Sequence, residues 1–230
     1  MPVSLEYEAA LWDSGARVVV GIDEVGRGAL AGPVSVGVVA LERCDDWPVG
    51  LADSKLLSPK RREAMNAVLA DYGLARAVGH ASPQEIDDVG IVAALRLAGN
   101  RALATIAAVG VTVDAILLDG KHDWLTPPAD DLFAADAGQD DVSLGTADEA
   151  PLPPVTMVIK GDNLCASIAA GSVIAKVERD ALMAQAHVRH PEFGWDGNKG
   201  YGAEGHLNAI RTHGATDEHR RSWKLPERDL

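Results

Sequence analysis

Residues 17–42 run RVVVGIDEVGRGALAGPVSVGVVALE, two apolar, β-branched stretches separated by a glycine-rich turn. Valine and isoleucine in short runs bounded by Gly and Pro favour strands over helix. Segment 17–24 is expected to be a buried strand and segment 34–41 its partner across the turn, a hairpin. The acids Asp23 and Glu24 fall where the first strand ends, beside the turn.

Outward from this pair the pattern alternates. Ser58-Pro59 opens a helix expected to run to about residue 70, since Pro suits the first helical turn. Segment 74–80 reads as a third strand. Ser82 with Glu85 three residues later gives a capping box, and helical pattern continues to about 108, interruptible at Gly90. Segment 113–118 is a strand ending at Asp119-Gly120, and segment 155–160 another ending at Gly161-Asp162. A helix rich in Ala, Gly and Ser is expected over 164–187, a composition suited to close packing on a sheet. A further helix is expected over 203–213. Between strands, residues 121–154 turn acidic and Pro/Gly/Ala-rich without periodicity and read as a long mobile surface loop.

A chain of 230 residues with 47% hydrophobic and 4% aromatic content can bury one core, built from small aliphatic side chains. No apolar run is expected to be long enough to cross a bilayer. The first residues, MPVSLEYEAALWDSG, carry acids and lack a basic-then-apolar leader, so a cytoplasmic protein is expected. Cys44 and Cys165 are too few and too distant to suggest a disulfide framework, and read as small buried residues. The net charge of −13 opposes a simple nucleic-acid binder. The acids concentrate in 121–154, however, while Lys60, Arg61 and Arg62, and Arg220, Arg221 and Lys224, could form locally positive surfaces.

Asp23, Glu24, Asp119 and Asp162 each follow an apolar strand. Carboxylates at strand ends can converge on one sheet edge, where they repel one another unless cations neutralise them. Hard oxygen ligands select Mg²⁺ or Mn²⁺, and two such ions can serve phosphodiester hydrolysis. Asp119-Gly120 alone reads as a turn former; the four acids together read as a metal site. Neighbours on a regular strand point to opposite faces, so Asp23 and Glu24 share one site only if the strand twists or bulges, or if Glu24 acts through its carbonyl.

Gly26-Arg27-Gly28-Ala29-Leu30-Ala31 matches a dinucleotide-binding fingerprint. That fingerprint needs a helix directly after it, and here Gly32-Pro33 and a strand follow. The turn is instead expected to bring its backbone close to a ligand, with Arg27 in reach of phosphate. A Cβ at either Gly26 or Gly28 is expected to obstruct that approach. The five histidines at 187, 190, 206, 213 and 219 have no zinc-site spacing and are assigned packing or surface roles.

GIDEVGRGALAGPV, DSKLLSPKRRE, LLDG, VIKGD with SIAAGSVIAKVERD, NKGYGAEGH and HGATDEHRRSW occur in this order. Together they resemble bacterial ribonuclease HII, a type 2 ribonuclease H, across nearly the whole chain. The resemblance implies an α/β, ribonuclease H-like mixed five-stranded sheet flanked by helices. It implies a catalytic domain over 1–187, with 121–154 as an acidic insertion longer than the family's usual turn, and a helical extension over 188–230. It implies that Asp23, Glu24, Asp119 and Asp162 hold two divalent cations, and that Gly26, Arg27 and Gly28 recognise a ribose 2′-hydroxyl. Tyr201 is implied to pack on the sugar after the ribonucleotide. The implied partners are RNA–DNA hybrids and duplex DNA containing ribonucleotides, cut to leave 3′-hydroxyl and 5′-phosphate ends. Ser54 and Lys55, in DSK, are read as phosphate contacts. Two rival readings remain: a nuclease of the same fold acting on DNA alone, and a non-catalytic hybrid binder, the latter opposed by four intact acids.

Overall fold

The computed structural model describes residues 3–127 and 152–229. Strands β1 (Val18–Val25) and β2 (Val34–Glu42) form the expected antiparallel hairpin, registered Val18 to Glu42 through Val25 to Ser35. Strand β3 (Ala75–Ala81) adds antiparallel to β2, while β4 (Ala115–Asp119) and β5 (Val155–Val158) add parallel on the other side of β1. The order β3-β2-β1-β4-β5 makes a mixed five-stranded sheet. Because β1, β4 and β5 are parallel, their C-terminal ends lie at one edge.

Helices cover both faces, which explains why the central strands are apolar throughout rather than alternating. Val20, Ile22, Ile116 and Leu118 face α3 (Pro83–Ala108), and Val19, Ala115 and Leu117 face α4 (Ala166–Arg189). The small residues of α4 have a specific cause. A Cβ on Gly37 would lie 2.1 Å from the Gly171 carbonyl oxygen, so strand and helix backbones touch where neither residue has a side chain. Helix α2 (Pro59–Val68) is capped by Ser58, which accepts from the Arg61 N–H at 3.4 Å. The capping box at the start of α3 is complete, and Gly90 leaves helical geometry at φ 77°.

Two expectations need correction, and one element was not anticipated. An 18-residue window within α3 reaches a mean hydropathy of 1.3, enough by length and composition for a membrane span. Its Ile86, Leu95, Ala98, Ala102 and Ile106 are instead buried against the sheet, as in a core helix. The 121–154 segment does not begin as a surface loop. Trp124 and Leu125 are 3% and 0% exposed and pack on α3 at Gly99, held by Asp123, which accepts from the Leu125 and Thr126 N–H groups. The reading of the rest as a mobile loop falls on 128–151, outside the described residues. Finally, the acidic start forms a helix, α1 (Glu6–Asp13), whose Trp12 enters the core and whose buried Glu8 accepts from the Ser167 N–H and hydroxyl at 2.8 and 2.6 Å.

Beyond α4 the chain makes short α5 (Trp195–Asn198) and then α6 (Glu204–His213). Phe193, Trp195 and Ile210 form a separate apolar cluster with Ala31 and Met183, which seats this segment beside the β1–β2 turn. Cys165 is buried, Cys44 half-buried, and both are free thiols.

Candidate functional site

Asp23 and Asp119 lie on neighbouring parallel strands, each one residue past the last pair between them, Ile22 with Leu118. Each continues the alternation that faces α4, so the two carboxylates project from the same side of the sheet edge. Glu24 has the opposite parity. No bulge brings it round: β1 stays regularly paired through Glu24 and Val25. The longer glutamate side chain instead lies near enough to Asp119 to feel its charge. Asp162 arrives from a short 3-10 turn, Gly161–Asn163, after β5. That turn is tied to the edge by the Gly161 N–H, which donates to Asp119 Oδ1 at 2.7 Å.

The electrostatics match a site built to hold positive charge. Burial, then the charges of Glu24 and Asp119, push the Asp23 carboxyl well above the ordinary range. Burial raises Glu24 despite Arg27, and burial with the Asp162 charge raises Asp119. The chain supplies two cations of its own. Lys55 Nζ donates to Asp162 Oδ2 at 3.1 Å and lies 3.9 Å from Asp53. Arg27 Nη1 lies 3.5 Å from Glu24 Oε1. Burial alone would lower Lys55; its bond to Asp162 and the charges of Asp23 and Asp53 outweigh that and raise it. Among the described residues no three metal-ligating side chains are yet drawn together around one point. The donor set is nonetheless all oxygen, on rigid strand ends and self-repelling, which fits hard divalent cations.

The DSK segment divides its labour. Lys55 is open to solvent, with its side chain 70% exposed. Ser54 is buried, and its hydroxyl accepts from Ser172 of α4 at 2.8 Å, while Ser172 lies close enough to Asp23 to temper the rise of its carboxyl. Ser54 therefore stands behind the acids rather than facing a phosphate. Asp53, buried and capping the Ser54–Leu56 turn through the Lys55 N–H, joins the same edge. Sequence reasoning passed over Asp53 and Ser172, although both lie in quoted motifs. An acid directly before Ser54-Lys55 was the available signal for the first; nothing in α4 distinguished the second.

The glycine turn is asymmetric. Gly26 is buried at φ 84°, and a Cβ there would fall 2.0 Å from Nε of Arg179, so it is glycine to admit an arginine, not a ligand. Gly28 is exposed, with nothing within 4 Å of its Cβ direction. The two glycines were expected to act alike; only Gly28 faces outward. Among the described residues the N–H groups of Arg27 and Gly28 make no hydrogen bond. Tyr201 lies alongside, 38% exposed, and the Lys199–Gly200 segment before it binds the turn: the Leu30 and Ala31 N–H groups donate to the Gly200 carbonyl at 2.8 and 3.2 Å.

The expected basic surfaces are partly internal. Arg220 is fully buried, Arg62 is paired with Asp180, and Arg221 with Asp217. His206 and His219 are buried and bonded Nε2 to Nε2 at 3.1 Å, packing residues as expected.

A family model for ribonuclease HII matches residues 20–226. A ribonuclease HII of Streptomyces coelicolor is 44% identical over 212 residues, 91% of this chain and 78% of that one. One from Ralstonia nicotianae is 37% identical, covering all of this chain and 86% of its own. Among solved structures, a ribonuclease H2 from Pyrococcus horikoshii superposes with a TM-score of 0.61 at 23% identity, over 90% of this chain and 94% of that one. A Bst ribonuclease HIII solved with Mn²⁺ reaches 0.64 at 21% identity, over 95% of this chain and 78% of that one. At these identities the two structures establish the shared fold.

Proposed function

The chain belongs to the ribonuclease HII family, and from that premise we propose how its residues carry out the family's reaction. The activity is endonucleolytic hydrolysis of RNA–DNA hybrids, and of duplex DNA at an embedded ribonucleotide, leaving 3′-hydroxyl and 5′-phosphate ends. The observation that carries the residue assignment is the sheet edge where Asp23 and Asp119 project from one side of neighbouring strands and the Asp162 turn is tied to Asp119, so that burial, with Asp119 acting on Asp23 and Glu24 and Asp162 acting on Asp119, raises these carboxyls.

Asp23, Glu24, Asp119 and Asp162 are the residues to hold the divalent ions. Bound among these oxygens, two such cations, Mg²⁺ or Mn²⁺, supply charge neutralisation at the scissile phosphate and at the attacking and leaving oxygens. Ser172, bonded to Ser54, lies beneath the Asp23 carboxylate and favours its charged form. The Gly161 N–H orients Asp119. Lys55 and Arg27 occupy the acids in the present arrangement and are the exposed cations nearest an incoming phosphodiester. Both can donate charge-assisted hydrogen bonds to a phosphate oxygen.

Selectivity for RNA needs a partner for the 2′-hydroxyl, the group that separates it from DNA. We assign that role to the Arg27 and Gly28 N–H groups, which are unengaged among the described residues, with Gly28 leaving room for close approach. Tyr201 offers its exposed ring to the neighbouring sugar. The catalytic unit is assigned to 1–187, and the 188–230 extension serves to present Tyr201 to the glycine turn. Free cysteines suit a cytoplasmic setting.

The test is cleavage of a duplex carrying one ribonucleotide, with and without Mg²⁺, beside an all-DNA duplex. Cutting is expected only with the ribonucleotide and the metal together. Asp23→Asn is expected to abolish it without loss of stability, since it removes a buried, repelled charge. Normal turnover by Asp23→Asn, or equal cutting of all-DNA duplex, would refute the assignment.

A further inference from the structure

Two arginines in this molecule are fully buried without an acid. Arg179 of α4 and Arg220 near the C-terminus are both 0% exposed, and neither has a carboxylate within salt-bridge distance among the described residues. Among the described residues every hydrogen bond their side chains make is to a backbone carbonyl. Arg220 donates through Nη2 to Gly26 at 2.6 Å, through Nη1 to Arg27 at 2.9 Å, and through Nε and Nη2 to Gly32 at 3.2 and 3.1 Å. Arg179 donates to Pro33 at 2.8 Å, to Ala31 at 3.1 Å and, across to the other segment, to Lys199 at 2.9 Å.

This arrangement is costly. Burial depresses both guanidinium groups, and Arg220, also repelled by Arg179, falls to about 9. A fold needing only a filled space would place an apolar side chain here with less penalty. What the pair supplies that an apolar residue cannot is a rigid, forked set of donors fixing several carbonyls at once. The carbonyls so fixed belong to the glycine turn and to the residue two before Tyr201. Each guanidinium also lies near an aromatic ring: Arg179 is 5.6 Å from the Tyr201 centroid and Arg220 is 5.0 Å from that of Trp223. Arg179 thus touches the turn, the Tyr201 backbone approach and the Tyr201 ring together.

We propose that Arg179 and Arg220 are positioning residues for specificity: Arg179 staples the glycine turn to the Tyr201 turn and Arg220 fixes the carbonyls of the glycine turn, so that a ribose 2′-hydroxyl and the following sugar are read at one fixed separation. This rests on the proposed reading of those two turns as the recognition elements. A single ribonucleotide in DNA offers only one register, in which both groups must be met at once. A continuous hybrid offers a 2′-hydroxyl at every position of the RNA strand, so it depends less on the spacing. Loosening the staple therefore costs the first substrate more than the second.

The experiment compares kcat/KM on the two substrates for wild type, Arg179→Lys and Arg220→Lys. Lysine keeps the charge and loses the fork. Both rates are expected to fall, with the ratio of single-ribonucleotide to hybrid cleavage falling at least fivefold. Gly200→Ala is the second variant, because its Cβ would meet the Ala31 carbonyl oxygen, an Arg179 acceptor, at 2.3 Å and part the two turns while leaving both arginine side chains in the sequence. It serves if the lysine variants fail to fold, and the same fall in ratio is expected. A purely structural role lowers both rates by the folded fraction alone and leaves the ratio unchanged, which would overturn the proposal. Wild type that cuts neither substrate overturns the underlying functional reading, and this inference with it. Wild type that cuts both, beside variants of unchanged ratio, overturns the staple alone.

Discussion

Gly26 and Gly28 lie two residues apart in one turn, yet alanine at each is expected to do different damage. At Gly26 the backbone is left-handed, φ 84°, which costs an L side chain about 1–2 kcal/mol. The new Cβ would also lie 2.0 Å from Arg179 Nε, and the guanidinium must withdraw. Arg179 makes three hydrogen bonds to carbonyls, and bonds to a charged group contribute about 1.5–3 kcal/mol each. Losing one of them brings the expected destabilisation of Gly26→Ala to roughly 3–5 kcal/mol, or about 10 °C in Tm for a chain of this size. Gly28 has no positive φ, and its Cβ direction is open. Gly28→Ala should leave stability within about 0.5 kcal/mol. Its effect should be on cleavage, a tenfold to hundredfold loss at an embedded ribonucleotide, from displacing one or two hydrogen bonds worth roughly 1–3 kcal/mol. Thermal melts and kcat/KM, measured on both variants, separate the terms. Equal Tm shifts, or a Gly28→Ala enzyme with wild-type rates, would refute the reasoning.

Two further outcomes follow from the interior. Burial, then the neighbouring His206 and His190, hold His219 down at about 4, and burial also lowers His206. An imidazole depressed in the folded state is protonated first in the unfolded chain, so stability is full above about pH 6.5 and drains away toward pH 4. The two-and-a-half-unit gap at His219 corresponds to about 3 kcal/mol. Urea melts from pH 7 to 4.5 should show wild type losing stability relative to His219→Gln across that window; parallel curves would remove the histidine pair as the cause. Trp124→Ala should cost about 3–5 kcal/mol by emptying a core position, whereas excising 128–151 should leave melting of the described fold nearly unchanged. A Trp124→Ala chain as stable as wild type would return residue 124 to the surface.

The sheet and the four acids were legible because each rests on a local signal. β-branched runs mark strands, and an acid after such a run marks a strand end, so Asp23, Glu24, Asp119 and Asp162 could be placed on one edge before any contact was known. What the sequence could not show is which way a side chain or a missing side chain points. Gly26 and Gly28 look equivalent in GRG, but one is empty space for an arginine 153 residues away and the other opens outward. Arg220 looks like part of a basic surface in EHRRSW, yet it is interior while its neighbour Arg221 is not. Trp124 looks like an interruption in an acidic loop and is core. α1 was passed over because its apolar face is narrow, with Leu5 and Trp12 buried and Glu8 satisfied only by Ser167. The net charge of −13 posed the hardest question of all, how such a chain meets a polyanion. Four of its acids form a self-repelling edge that cations can neutralise, while Arg179 and Arg220, without an acid partner among the described residues, bring positive charge beneath the glycine turn. A charge total cannot reveal that division; it arises only when β1 carries Gly26 from the acidic edge to the arginines within three residues of Asp23.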